Sequence, residues 1–137
     1  MIQVKNAAQI AMMRDAGKIT GEALQMAGEM VRPGITTKEI DTAIRSYITK
    51  CGATPSFLNY GGFPASACIS INDEVIHGIP SKKRVLKEGD IVSIDVGAYY
   101  KGFHGDCAAT FACGAISTEA KRLIDVTRES FFQGIAQ

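Results

Sequence analysis

Tryptophan is absent from this chain, histidine occurs only at positions 77 and 104, and no stretch of about 18 apolar residues occurs. With four Tyr and six Phe scattered along the sequence, there is no aromatic ladder on which single-stranded nucleic acid could stack. The start, Met1-Ile2-Gln3-Val4-Lys5, lacks a cationic segment followed by an apolar core, which argues against a secretion signal and, with no membrane span, predicts a soluble cytoplasmic protein. Charge of one sign is lacking too. Fifteen Lys and Arg against fourteen Asp and Glu leave +1, so no overall field recruits nucleic acid or acidic membrane. The one local basic run, Lys82-Lys83-Arg84 with Lys87, reads as a solvated loop. Cys51, Cys68, Cys107 and Cys113 form no C-x-x-C pair and no zinc-finger spacing, which excludes a disulfide framework and a structural zinc site in favour of reduced thiols. A thiol enzyme built on Cys68 or Cys107 lacks a recognisable base partner in the sequence.

What is present suits one modest globular domain: 137 residues, 46% of them apolar. Residues Asn6 to Val31 carry Ile10, Met13, Ala16, Leu24, Ala27 and Val31 near helical spacing until Arg32-Pro33-Gly34 interrupts, which predicts a long first helix. Thr36 and Glu39 form a capping box for a second helix, with Ile40, Ala43, Ile44, Tyr47 and Ile48 on one face and Cys51-Gly52 at its end. Residues 53–66 contain Pro55, Gly61, Gly62 and Pro64 without either period, a loop of a length that is often functional. A strand follows at Ala67-Cys68-Ile69-Ser70-Ile71, then a turn at Asn72-Asp73 and an extended piece from Val75 to Pro80. Ser117 caps a last helix, with Leu123, Ile124, Phe131 and Ile135 expected as its buried side.

Between these lie two aspartates in runs that otherwise read as a buried hairpin, Ile94-Asp95-Val96-Gly97 and His104-Gly105-Asp106-Cys107. Side chains alternate along strands and opposed residues of an antiparallel pair share a face. An even-numbered loop around Tyr100-Lys101 therefore puts Asp95 and Asp106 on one side. A two-residue loop there, or a four-residue loop from Tyr99 to Gly102, sets them directly opposite, about 4.5–5.5 Å apart at Cβ. Ser93, Gly97, His104, Ala108 and Thr110 share that face, while Val92, Ile94, Val96, Phe103, Cys107 and Phe111 form the other. Like charges on neighbouring strands repel and buried carboxylates need partners. A hard divalent cation held by oxygen ligands answers both needs, and a pair of aspartates fixing loops through backbone hydrogen bonds is the alternative. His77, alone between apolar residues, reads by itself as a satisfied core or loop residue.

Three ordered blocks carry a resemblance: Cys68-Ile69-Ser70-Ile71-Asn72-Asp73-Glu74-Val75-Ile76-His77-Gly78-Ile79-Pro80, Gly89-Asp90-Ile91-Val92-Ser93-Ile94-Asp95-Val96-Gly97, and Gly102-Phe103-His104-Gly105-Asp106. Together they resemble type I methionine aminopeptidases, from the first helix to Gln137. The resemblance implies an α/β (α+β) pita-bread fold, a curved antiparallel sheet with flanking helices, of which residues 1–137 would be the N-terminal half of a single catalytic domain. It implies hydrolytic removal of N-terminal methionine from nascent proteins and peptides by water activated at two divalent ions, Co, Mn, Fe or Zn. It gives Asp95 and Asp106 as metal ligands and His77 as the histidine that hydrogen-bonds substrate near the scissile peptide. Tyr60, Phe63 and Cys68 match the positions that line the methionine pocket, with Phe63 where family members often have Tyr.

The same resemblance exposes a shortfall. A histidine and two glutamates that complete the family's site, and a further substrate-contacting histidine, have no match here; Glu119, Asp125 and Glu129 fall at helical spacing on a solvated face. The expectation is weak or no metal binding and little or no peptidase activity for the chain alone. Apolar surface left without its covering half is expected to drive self-association. The competing reading is a non-catalytic binding module of the same fold that recognises peptide N-termini or a protein partner.

Overall fold

The computed structural model describes residues 2–137. Asn6 caps the first helix, α1 (Ala7–Met30), through a capping box with Gln9, each side chain bonding the other's backbone amide at 2.9 Å. Thr36 and Glu39 do the same for α2 (Thr37–Lys50), as the sequence leads one to expect. The strands β1 (Thr54–Pro55), β2 (Ala67–Ile71), β3 (Ile91–Tyr100) and β4 (Phe103–Ala112) form one antiparallel sheet, and α3 (Thr118–Ile135) follows. β3 is the spine. β4 pairs along its whole length, while β2 and the two residues of β1 pair in turn with its other edge. Pro55, which has no amide to give, sits in β1 at the sheet's margin.

The core lies between one face of this sheet and the helices α1 and α2. Ile40, Ile44 and Ile48 of α2 and Ile69, Val92, Ile94 and Val96 of the strands are all completely buried, and each contributes about 1.5–3 kcal/mol of apolar burial. α1 packs differently from its expected stripe. Ile10 and Met13 are 41% and 40% exposed, and the residues that go inside are Ala16, Ile19, Thr20, Ala23 and Ala27. The reason is close approach: β4 comes so near α1 that a side chain on Gly105 would overlap the Ala16 carbonyl, and one on Gly28 would overlap the Phe111 ring. Small residues on the helix are what such a distance requires.

The expected buried side of α3 does not form. No residue of that helix is buried; Leu123, Phe131, Phe132 and Ile135 are 53–65% exposed. Its apolar stripe is real, but within this chain the stripe meets a cleft and no second layer. Among the described residues no helix is long and apolar enough to cross a membrane.

The basic run also departs from its simple reading. Lys82, Lys83 and Lys87 are exposed as expected, whereas Arg84 is partly buried and pairs with Glu74.

Candidate metal centre

The hairpin that carries the aspartates turns one residue later than the sequence pattern suggests. Tyr100 pairs with Phe103, so the two-residue loop is Lys101-Gly102. Both loop residues have positive φ, +50° and +88°, the requirement of a twist-matched hairpin turn, and glycine at the second position meets it without strain. Parity survives the shift but direct opposition does not: Asp95 faces Ala108, Asp106 faces Gly97, and the two carboxylates are diagonal neighbours on one face. Diagonal neighbours remain within reach of each other, and here Asp95 feels the Asp106 carboxyl. β2 adds Cys68, directly opposite Asp95, and Ser70 to the same face.

The electrostatics follow from that crowding. Burial and then the charge of Asp106 push the Asp95 carboxyl above its ordinary value; the His77 ring and the Val96 amide pull it part of the way back. Burial and the same two aspartates push the Cys68 thiol up to about 11. Cys107 is raised to about 11 as well, by burial and then by Asp106 and Asp95. A raised thiol pKa leaves little thiolate at neutral pH, which argues against the thiol-enzyme reading.

A raised carboxylate means that ionisation is resisted by the fold. The contribution Asp95 makes when protonated is therefore lost as pH rises from its unfolded value through its folded one. Asp95→Asn, which deletes one of two like charges on adjacent strands, is expected to stabilise the metal-free protein near neutral pH by ~0.5 kcal/mol, or about 2 °C. Thermal melts across pH check this, because the gap should close as acid protonates Asp95 in the parent. A variant that melts below the parent at pH 7 would contradict it.

His77 sits on the segment after β2 in left-handed backbone, φ +61°, exposed and close enough to influence Asp95. It joins Cys68, Ser70, Asp95, Thr110 and Leu123 among the residues around a cleft of about 810 Å³. Tyr60 and Phe63 are not part of that lining. They lie on the 53–66 loop, where Tyr60 opens a single 3-10 turn and is 82% exposed while Phe63 is half-buried. The structure thus sets Cys68 opposite Asp95 with Asp106 diagonal to it, places His77 at the rim of the cleft that Asp95 lines, and leaves Asp106, Tyr60 and Phe63 outside that lining.

That loop is tethered by residues the sequence reading passed over. Asp41, only 1% exposed, accepts hydrogen bonds from the Ser66 and Ala67 amides at 2.8 and 3.2 Å, and Lys38 donates to its other oxygen at 2.6 Å. Its signal was available: position 41 is three and seven residues before Ile44 and Ile48, an acid on the buried side of α2. At the loop's other end the Ser56 amide donates to the Gly97 carbonyl at 2.9 Å, and the Ser56 hydroxyl lies 2.8 Å from Nδ1 of His104. The His104 ring also packs, tilted by 42°, against Tyr99 with centroids 4.7 Å apart. His104 therefore serves this face by hydrogen bonding, the use its position beside Asp106 suggests.

Two carboxylates supply hard oxygen donors of the kind Mn, Fe, Co or Zn accept. They fit a divalent ion as a partial set: among the described residues no group of three or more His, Cys, Asp or Glu side chains gathers as a cage.

Paired carboxylates on the open face of a sheet, beside a solvent-accessible cleft, are donors of the kind that metal-dependent hydrolases use. Comparison with known proteins makes the class specific. Residues 11–137 match metallopeptidase family M24. The chain is 58% identical over 135 residues to the methionine aminopeptidase of Clostridium acetobutylicum, a match covering 98% of this chain and 54% of that protein. It is 45% identical over 137 residues to methionine aminopeptidase 1 of Bacillus subtilis, covering all of this chain and 55% of the relative. The crystal structure of methionine aminopeptidase from Rickettsia prowazekii superposes with a TM-score of 0.95 at 41% identity, over 98% of this chain and 54% of that one. Xaa-Pro dipeptidase from Bacillus anthracis superposes less closely, TM-score 0.73 at 29% identity, over 87% of this chain and 32% of that one. The chain belongs to metallopeptidase family M24 and has the pita-bread fold. It spans about half the length of the curated relatives it matches.

Proposed function

We propose that this chain supplies the first half of a methionine aminopeptidase site, the activity its relatives' names carry. The observation that supports it most is the proximity of Asp95 and Asp106 on one sheet face, with the Asp95 carboxyl raised by burial and then by that proximity. Such a pair is poorly stable alone and well suited to a cation. Asp95 and Asp106 would hold two divalent ions, with the remaining donors coming from outside these residues. When bound, the ions supply Lewis acidity, which makes water a nucleophile near neutral pH and polarises the peptide carbonyl.

The chain's own residues do the rest. His77, at the cleft beside Asp95, donates to or accepts from the substrate near the scissile peptide. Cys68, protonated and buried, offers a small apolar wall for the methionine side chain. Phe63 and Tyr60, on the loop tethered by Asp41 and Ser56, would reach the methionine side chain from outside the cleft lining. The substrate in this reading is a peptide or nascent chain with a free N-terminal methionine, and the setting is the cytoplasm.

The test is release of methionine from a Met-Ala-type peptide in Mn, Co, Fe or Zn. It compares the 137-residue chain with a version carried to the length of the relatives. The longer form is expected to cleave and the shorter to show little or no activity and weak metal binding by calorimetry. Failure of the longer form with all four metals would remove the peptidase reading and leave the binding-module alternative. Tight stoichiometric binding by the short chain would contradict the partial donor set.

The exposed stripe of α3, with Leu123, Phe131, Phe132 and Ile135 beside the cleft, favours a second copy of the chain as its cover when these residues are alone in solution. Light scattering after size exclusion should give a mass above 14.6 kDa. A clean monomer at micromolar concentration would count against it.

A further inference from the structure

The segment between Asn72 and Pro80 carries His77 yet has little apolar hold on the molecule: Val75, Ile76 and Ile79 are 86%, 66% and 51% exposed. Left-handed backbone at His77 adds a cost of about 1–2 kcal/mol for a residue with a side chain. A strap of this kind stays in place only if polar contacts fix it. One set is at Gly78, whose carbonyl accepts from the Ile69 amide at 2.9 Å and whose amide donates to Ser70 Oγ at 3.0 Å. A side chain at 78 would overlap the Ile69 carbonyl, so the strap lies flat on the edge of β2.

The other set converges on one side chain. Arg84 Nη1 donates to the carbonyls of Ile69 and Ile79 at 3.4 and 3.3 Å, and Nη2 pairs with the Glu74 carboxylate. Glu74 in turn accepts from the Ile71 amide at 2.9 Å, closing the turn that starts the strap. A single guanidinium therefore joins both ends of the strap, residues 74 and 79, to β2, with His77 between. Arg84 is itself held. Its amide donates to Ser81 at 3.2 Å, and its carbonyl accepts from the amide of Thr37, the first residue of α2, at 2.9 Å.

The geometry points to Arg84 as the positioning residue of His77: a planar clamp, anchored to α2, that sets where this histidine stands at the cleft beside Asp95. The consequence for substrate rests on the proposed function; the clamp does not. Lysine delivers one point charge on a flexible stem and does not span three acceptors in a plane, so it is not an equivalent. Exposed ion pairs add little to global stability, so the signature of this clamp is local order.

Hydrogen exchange and histidine NMR on the 137-residue chain read that order directly, since its only histidines are His77 and His104. In Arg84→Met the Ile69 and Gly78 amides should exchange at least ~10-fold faster. The His77 ring signals should shift or broaden, while His104 and the amides of β3 stay as in the parent. Arg84→Lys should recover part of the protection, and Glu74→Gln, which leaves the arginine in place, should lose part of it. In the longer form, kcat/KM on a Met-Ala peptide should fall at least ~10-fold with metal affinity unchanged. Unaltered Gly78 exchange and His77 signals in Arg84→Met would overturn the inference. So would equal loosening of β3, which would make Arg84 a general structural residue. Absence of peptidase activity in the longer parent would sink the functional reading and leave the exchange result standing.

Discussion

Gly105→Ala is expected to destabilise the protein by about 3 kcal/mol, lowering its melting temperature by about 10 °C. A methyl group there would overlap the Ala16 carbonyl and lie 2.5 Å from Thr20 Oγ1. Neither neighbour can yield cheaply. Ala16 is helix backbone, and the Thr20 hydroxyl is committed to that same carbonyl at 2.8 Å in a fully buried position. The whole of α1 must therefore back away from β4, opening the packing of Ala16, Ala23 and Ala27, all of them completely buried. Gly105 stands between His104 and Asp106, so the same displacement moves the strand that presents Asp106. Differential scanning calorimetry decides it: a melt within about 2 °C of the parent would mean that the helix has slack the structure does not show.

Asp41→Ala should cost a similar amount, ~3 kcal/mol, for a different reason. The mutation strands the Ser66 and Ala67 amides in a buried site and removes the partner of Lys38. Each orphaned buried donor costs about 1–3 kcal/mol. Asp41→Asn keeps one acceptor oxygen in place and should lose less than half as much, so the pair of variants separates lost hydrogen bonding from lost volume. Urea midpoints at constant slope are the readout. Equal and small shifts for both would show that the 53–66 loop does not depend on this tether. Because Ala67 begins β2 and Cys68 follows it, the loss should also loosen the edge of the site.

The helices were the most legible part of the fold. Asn6, Thr36 and Ser117 each accept from an amide three residues on, a local event that depends on a few residues and is therefore written in them. β2 appears with its expected bounds, Ala67–Ile71, because short apolar runs between turn residues have few alternatives. The hairpin shows where local reading stops. Alternation put Asp95 and Asp106 on one face, and that holds, since period two survives any shift of register by an even count. Direct opposition required knowing which pair of residues turns, and Gly102, able to take positive φ, drew the turn one position along. Likewise Leu123 and Phe131 advertise an apolar helix face, but amphipathicity says which side is apolar and not whether anything lies against it. Arg84 looked like one more solvated cation because its three partners, Ile69, Glu74 and Ile79, are brought to it only by the strap's return along β2.

The family blocks, the capped helices and the shared face of the two aspartates were legible in the chain itself. These are properties of spacing and residue type, which need no distant contact to be read. Tertiary structure alone decided the diagonal placement of the carboxylates and the burial that raises Asp95. It also decided the closeness of α1 to Gly105, the use of Asp41 as a tether and the grip of Arg84 on the His77 strap. Each of those depends on which segments, far apart along the chain, come to lie within a few ångströms, and that is set by how the whole core packs.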